Sequence, residues 1–116
     1  MQDYKSLIVW QKAHRLTLDV YKVTKDFPKD ETYGLISQIR RASVSIPTNI
    51  VEGSGRSTQN DFARFLYISF GSGNELEYEL LLAKDLSYLS KEKFDILSDQ
   101  IIEIKKMLSG LIKKIS

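Results

Sequence analysis

Apolar residues recur at steps of three and four along almost the whole chain, and this spacing limits what the chain can fold into. The last quarter is the most regular, because its apolar positions alternate these steps over three heptads. Those positions are Phe94, Leu97, Ile101, Ile104, Leu108, Leu111 and Ile115. Only two prolines occur, and no segment alternates apolar and polar residues as a strand does. The pattern predicts an all-α protein.

Helix-breaking and helix-capping residues divide this pattern into four helices. The predicted ranges are about 5–26, 32–53, 58–88 and 91–115. Pro28 ends the first helix, and the predicted N-caps are Asp30 for the second, Ser57 or Thr58 for the third and Ser90 for the fourth. Short connections make successive helices antiparallel neighbours. We therefore expect one domain, residues 1–116, folded as an antiparallel up-down-up-down four-helix bundle.

Composition excludes several classes of site. The chain of 116 residues contains no cysteine, so neither a disulfide framework nor a thiolate metal site can form. A net charge of +2 is too small to indicate a nucleic-acid partner by itself. No stretch approaches the roughly 20 apolar residues that a membrane helix needs. We expect a cytoplasmic protein with no membrane, metal or cofactor association.

Small residues occupy two stretches where a helical core would carry large ones. The first is RRASVSIPTNIVEGSGR, residues 40–56, and the second is SFGSG, residues 69–73. A glycine inside a helix costs about 1 kcal/mol relative to alanine, so close approach of the two helices is the expected compensation. A phosphate-binding loop at GSG is the alternative, but no strand precedes it and no P-loop lysine follows it.

Pro47 lies inside the first small-residue stretch. A proline within a helix removes the hydrogen bond to the carbonyl four residues earlier, here that of Ser43. Ile46 is a poor N-cap, so a helix that starts at Pro47 is disfavoured. We expect a continuous, kinked second helix, with the hydroxyls of Ser43 and Thr48, or water, satisfying the freed groups.

Three segments together identify a family resemblance. They are VWQKAHRLTLDVYKVTKDFP, ETYGLISQIRRASVSIPTNIVEGSGR and FARFLYISFGSGNELEYEL. Over residues 7–89 the chain resembles the four-helix-bundle proteins encoded in intervening sequences of bacterial large-subunit (23S) ribosomal RNA genes. The resemblance implies a homo-oligomeric ring, typically a pentamer, without catalytic activity. It also implies a relation to accessory proteins of diversity-generating retroelements, which are thought to bind nucleic acid and reverse transcriptase.

Arginines suggest how such a protein could bind RNA or DNA. Four of the five arginines fall within residues 40–66, and arginine is preferred for bidentate or partly buried pairing. The candidate nucleic-acid contacts are Arg40, Arg56 and Arg64. A buried polar network that fixes the pairing of helices two and three is the prediction for Arg41, Asn49, Glu52 and Glu75. Arg41 could alternatively reach an acidic residue across a subunit interface.

Two other functional classes compete with RNA association. Helix four has more apolar residues than one bundle face needs, namely Ile96, Ile102, Met107 and Ile112, and these favour an adaptor oligomer that recruits a protein partner. An enzyme is not expected. The single histidine, His14, lacks the Glu-x-x-His motif of bundle metal sites, and Glu75 and Glu79 share a helix face without any histidine.

Overall fold

The structure, a computed structural model, describes residues 3–116, so the first two residues of the predicted domain lie outside it. This part of the chain contains four α-helices, two short 3₁₀ turns and no β-strand. The helices are α1 (Ile8–Thr24), α2 (Leu35–Ser54), α3 (Gln59–Asp85) and α4 (Lys91–Ile115), and the 3₁₀ turns are Tyr4–Ser6 and Lys29–Glu31. The prediction of an all-α chain with four helices is confirmed, and the arrangement is compatible with a four-helix bundle. Within this range no helix is both long and apolar enough to span a bilayer.

All four helices contribute buried apolar side chains to one core. Among the fully buried side chains are Leu16, Val20, Ile39, Ile46, Ile50, Leu66, Leu76, Leu80, Ile101, Ile104 and Leu108. The predicted seam of α4 faces this core along its length, with its two ends only partly buried. Of the additional apolar residues of α4, Ile112 is buried and Met107 is partly buried, whereas Ile96 and Ile102 are exposed.

The start of α2 differs from the prediction. Asp30 was predicted to cap this helix, and this is wrong, because Asp30 lies within the 3₁₀ turn and the helix begins at Leu35. The carboxylate of Glu31 accepts a hydrogen bond of 3.1 Å from the Leu35 amide. Because the 3₁₀ turn Lys29–Glu31 comes first, α2 starts later than predicted. The carboxylate of Glu31, rather than that of Asp30, therefore accepts from an amide at the helix start.

Local hydrogen bonds mark both ends of α3 and the start of α4. Thr58 and Ser90 cap α3 and α4 as predicted, since their hydroxyls accept from the amides of Asp61 and Lys93. The end of α3 lies earlier than predicted, at Asp85. Ser87 has a φ of 68°, and the Tyr88 amide donates to the Ala83 carbonyl at 2.9 Å. This left-handed C-terminal motif stops the helix.

Hydroxyl groups join α2 to α3 where small residues let them approach. The Ser69 hydroxyl donates to the Ile46 carbonyl at 2.8 Å, and the hydroxyls of Ser45 and Ser72 lie 2.8 Å apart. A β-carbon added at Gly53 would lie 2.8 Å from Cδ1 of Phe62. Close packing of the two stretches is therefore confirmed for these residues, and the phosphate-loop alternative is excluded because GSG lies inside α3.

The two glycines of GSG do not share this role. A β-carbon at Gly73 would lie 3.3 Å from Cγ of Lys105, so this glycine accommodates α4 rather than α2. Gly71 is exposed, and an added β-carbon would meet nothing within 4 Å in the described chain. The expected close approach of a neighbouring helix is thus found at Gly73, where the neighbour is α4, but not at Gly71 within the described chain.

Helix α2 runs continuously through Pro47, as predicted. The Ser43 carbonyl, which has no amide partner because residue 47 is proline, accepts a hydrogen bond of 2.9 Å from the Thr17 hydroxyl of α1. We expected Ser43, Thr48 or water to satisfy the freed groups, and the donor is instead a side chain of another helix. The carbonyl that Pro47 leaves without an amide donor therefore forms a hydrogen bond between α1 and α2.

We predict that Thr17→Val lowers the free energy of unfolding by about 1–3 kcal/mol, because it leaves the buried Ser43 carbonyl without its donor. Urea unfolding measures the change. Thr48→Val, on the exposed side of α2, is the matched control and is expected to change stability by less than about 0.5 kcal/mol. Equal losses in the two variants would show that the Thr17 hydroxyl has no special role.

We predict opposite effects for alanine at two helical glycines. Gly53→Ala forces a methyl group against Phe62 and Phe65 and lowers the unfolding free energy by about 1–3 kcal/mol. Gly71→Ala places its methyl group in open space and raises the unfolding free energy of the single chain by up to about 1 kcal/mol. Chemical denaturation in dilute solution measures both, and a change of the same sign in both variants would contradict this account.

Candidate nucleic-acid interface

Two of the predicted arginines flank one aromatic ring at the turn between α2 and α3. The guanidinium carbons of Arg56 and Arg64 each lie 4.6 Å from the centroid of the Phe65 ring. Arg56 also pairs with Glu52 at 3.2 Å, and Arg64 lies 3.7 Å from Asp61. Both arginine side chains remain about half exposed, at 42% and 59%. Stacking on Phe65 orients the two guanidinium groups. Each is paired with one carboxylate, and its exposed part can meet a further anion.

A polar cavity of about 340 Å³ lies beside Arg56. The α2–α3 turn, the first turn of α3 and the last turn of α4 line it, and Lys114 supplies a second cation. The amides at the start of α3 belong to the same region, with Thr58 as the capping residue. A helix N-terminus beside two cations can attract phosphate groups. We call Arg56, Arg64, Phe65 and Lys114 the arginine end.

Arg40 does not belong to the arginine end. Its Nε donates to the Thr24 hydroxyl at 2.9 Å, and one Nη donates to the Tyr21 carbonyl at 3.4 Å. The guanidinium also stacks on the Tyr21 ring at 4.6 Å. Arg40 lies fourteen residues before the end of α2 at Ser54, which is about 21 Å along the helix axis. Arg40 therefore stabilises the contact between α1 and α2.

The predicted buried network does not form within residues 3–116. Arg41, Glu52 and Glu75 are exposed, and Arg41 has no ion pair with either glutamate within this range. Asn49 donates to the Ser45 carbonyl at 2.9 Å and to the Ser45 hydroxyl at 3.0 Å. The small side chains of α2 and α3 bring the backbones together, so serine hydroxyls rather than long charged side chains occupy the contact.

Glu79, which the sequence analysis named only as sharing a helix face with Glu75, lies beside this contact. Only 7% of its surface is exposed, and its Oε1 atom has no hydrogen-bond partner in the described chain. Burial, with a further contribution from the charge of Glu75, raises the pKa of Glu79 from 4.5 to about 7. Glu79 lines a cleft of about 510 Å³ between α2 and α3, which we call the Glu79 cleft. The other lining residues are Gln38, Arg41, Ala42, Ser45 and Glu75.

Tyr4, Trp10 and His14, the only histidine of the sequence, lie together near the start of α1. The Trp10 and His14 rings are stacked, with centroids 5.1 Å apart, and Tyr4 meets Trp10 edge-on at 5.0 Å. His14 is exposed, and Trp10 is partly buried against the core. In the described range no three His, Cys, Asp or Glu residues are grouped to hold a metal ion.

Four amphipathic helices around one apolar core place the chain among the small helical-bundle proteins. Residues 5–110 match the family described as 23S rRNA-intervening sequence protein, and the chain belongs to this family. The family resemblance predicted from the sequence is thus confirmed.

Among solved structures, the chain is similar to a protein of unknown function from the S23 ribosomal protein family of Bacteroides thetaiotaomicron, determined at 1.70 Å resolution. The two chains are 28% identical and superpose with a TM-score of 0.82. The match covers 91% of this chain and 99% of the other. Comparison with curated proteins gives no match.

The raised pKa of Glu79 predicts how stability depends on pH. Folding favours the protonated form, so Glu79 contributes favourably below its ordinary pKa, and this contribution is lost as the pH rises from 4.5 to about 7. We predict that Glu79→Gln, which stays uncharged, becomes increasingly more stable than the wild type over this range and keeps its advantage above it.

Urea unfolding in dilute solution, near pH 5 and near pH 8, tests this dependence. Glu92→Gln in the exposed first turn of α4 is the control, and its difference from the wild type is expected to stay nearly constant. A Glu79→Gln advantage that does not grow with pH would contradict the assignment.

Proposed function

We propose that the protein is a non-enzymatic homo-oligomer that associates with RNA through its arginine end. The observation that carries this proposal is that Arg56 and Arg64 both contact one aromatic ring, that of Phe65, at an exposed turn next to the start of α3. Guanidinium groups bind phosphate in a fork geometry, and exposed aromatic and guanidinium surfaces also stack on unpaired bases. The 23S rRNA context of the family is consistent with an RNA ligand.

The proposed subunit is an antiparallel bundle. Contacts between α2 and α3 support this arrangement, because they pair Ser45 with Ser72, Ile46 with Ser69, and Gly53 with Phe62. Residue numbers rise along α2 while they fall along α3. The same arrangement places the end of α4 beside the start of α3, where Lys114 joins the arginine end.

The proposed assembly uses the outer face of α3. Tyr67 and Tyr78 are 63% and 62% exposed on this face, and Ile68 is 42% exposed. Gly71 lies between them with open space around it, so a neighbouring helix could approach its backbone closely. Exposed apolar patches of this kind mark interaction surfaces. A ring of five copies, as the family resemblance implies, would repeat the arginine end around one rim and multiply its charge.

Such a ring would act in the cytoplasm, in keeping with the absence of cysteine. The accessory proteins of diversity-generating retroelements, to which the family resemblance implies a relation, are thought to bind nucleic acid, and the role proposed here is similar to theirs.

An adaptor oligomer is the second candidate function. Ile96, 55% exposed, borders a mostly apolar groove of about 160 Å³ between α1 and α4. Val23 and Leu97 also line this groove, so an apolar side chain of a protein partner could occupy it. RNA binding and protein recruitment would then use different surfaces, and loss of one would leave the other intact.

Fluorescence anisotropy with a labelled, structured fragment of ribosomal RNA tests RNA association. We predict that Arg56→Ala/Arg64→Ala weakens binding about tenfold or more. The slope of log K against log salt is expected to shrink by about 1.4–1.8, since two phosphate contacts are removed. Native mass spectrometry of the same samples reports the number of subunits with and without RNA.

Lys25→Ala/Lys29→Ala is the control for net charge, because both lysines are exposed in the connection between α1 and α2. It removes two charges away from the arginine end and is expected to retain most of the affinity. If the two double variants lose RNA affinity equally, the protein attracts RNA through its overall charge and not through the arginine end. Wild-type binding without salt dependence would contradict phosphate contacts by the arginine end. No binding would contradict RNA association and favour the adaptor.

A further inference from the structure

The unpartnered carboxyl group of Glu79 requires an explanation beyond the bundle core. Glu79 is more than nine-tenths buried, and its Oε1 atom meets no hydrogen-bond donor among residues 3–116. Burying a carboxyl group without a partner costs free energy, and native proteins contain few such groups. By contrast, the neighbouring Glu77 pairs with Lys105 at 3.1 Å. Of these two glutamates of α3, Glu77 is thus paired, whereas Oε1 of Glu79 has no donor among the described residues.

The Glu79 cleft is suited to a cationic group. Its lining carries one positive side chain, Arg41, and two acidic side chains, Glu75 and Glu79, while the remaining lining residues are uncharged. All of these residues belong to α2 and α3, so no charged side chain of α1 or α4 lines the cleft. Ionisation of Glu79 therefore leaves the cleft with an excess of one negative charge, which one lysine or arginine side chain would neutralise.

A metal ion fits this cleft less well than a basic side chain. Hard cations prefer six or more oxygen ligands, and only two carboxyl groups line the cleft. No group of three potential metal-ligating residues occurs in the described range. An ammonium or guanidinium group instead donates hydrogen bonds directly to a carboxylate, and such charge-assisted bonds are among the strongest in proteins. A volume of about 510 Å³ leaves ample room for the end of such a side chain.

We propose that the Glu79 cleft is a docking pocket for a lysine or arginine side chain from a second copy of this chain. This inference rests on the proposed homo-oligomer. The cleft continues into the outer face of α3, because Glu75 lines the cleft and is exposed one helical turn from Gly71 and near Tyr78. The chain is also basic, with a pI of about 8.8, and a second copy offers exposed cations such as Arg15, whose side chain is 76% exposed.

The pocket makes assembly sensitive to pH. Docking requires ionised Glu79, and burial raises the pKa of this group to about 7 in the single chain. The groups that face it are Arg41 from α2 and Glu75 from its own helix, and Glu75 contributes to the raised value. Lowering the pH below about 7 should therefore weaken each docking contact by about tenfold per pH unit, because a proton competes with the incoming cation.

Sedimentation velocity of the wild type and Glu79→Gln, over a concentration series at several pH values between about 6 and 8, tests the proposal. Glutamine keeps the shape of the side chain but cannot form the ion pair. We expect Glu79→Gln to weaken assembly at least tenfold near pH 8 and to remove most of its pH dependence. Its thermal unfolding as a monomer should be unchanged or shifted upward, which separates loss of docking from loss of folding. Glu92→Gln, outside the cleft, is expected to assemble like the wild type.

The outcomes separate this inference from the proposed function. A wild type that assembles, together with a Glu79→Gln variant that assembles equally well, overturns the docking pocket and leaves the homo-oligomer standing. A Glu79→Gln variant that melts earlier as a monomer and assembles normally also overturns the pocket, because Glu79 would then act within its own chain. A wild type that stays monomeric at every concentration overturns both the oligomer and the pocket.

Discussion

The close contact between α2 and α3 is the interaction on which the rest of the structure depends. Serines and a glycine at this contact let the two backbones approach, and hydroxyl groups then reach carbonyls and each other across the gap. Large side chains at these positions would separate the helices and leave those polar groups without partners. The longest helix, α3, is thereby fixed against α2, and α1 and α4 complete the core on either side.

The same contact determines what the surfaces can do. It positions Phe62 and Phe65 against the end of α2, and Phe65 in turn orients the guanidinium groups of Arg56 and Arg64. It also creates the cleft that Glu79 lines, where its buried Oε1 atom meets no donor among residues 3–116. A helix pair built for tight packing thus yields two distinct polar features, an exposed cationic turn and a nearly buried acidic pocket. The proposed RNA and subunit contacts use these features separately.

Periodicity and capping chemistry were sufficient to predict the four helices, their apolar core and the N-caps of α3 and α4, while the two ends of α1, the start of α2 and the end of α3 differ by two or three residues from the prediction. They did not predict which side chains are buried where this depends on small rotations about a helix axis, nor which hydrogen bonds form between different helices. Four residues advance a helix by about 40° beyond a full turn, so Glu75 is exposed whereas Glu79 turns toward α2. The partner of the Ser43 carbonyl, Thr17, lies 26 positions away on α1, which no local pattern reveals.

Arginine roles were predictable only in part. The clustering of arginines within residues 40–66 is visible in the sequence, but their partners are set by the fold. Arg40 reaches Thr24 of α1, whereas Arg41, one residue later and about 100° around the helix, faces the Glu79 cleft. Adjacent arginines therefore have different surroundings, and only a three-dimensional structure distinguishes them.

Native-state hydrogen exchange tests the central role of the α2–α3 contact most directly. Amides in the most stable part of a protein exchange only through its largest unfolding event. We expect the slowest amides to be those of α2 and α3 next to the serine contacts, near Ile46, Ile50 and Leu76, and we expect α4 to open at lower free energy. Slowest exchange in α4, with α2 and α3 opening before it, would show that the α2–α3 contact is not the most stable part of the fold.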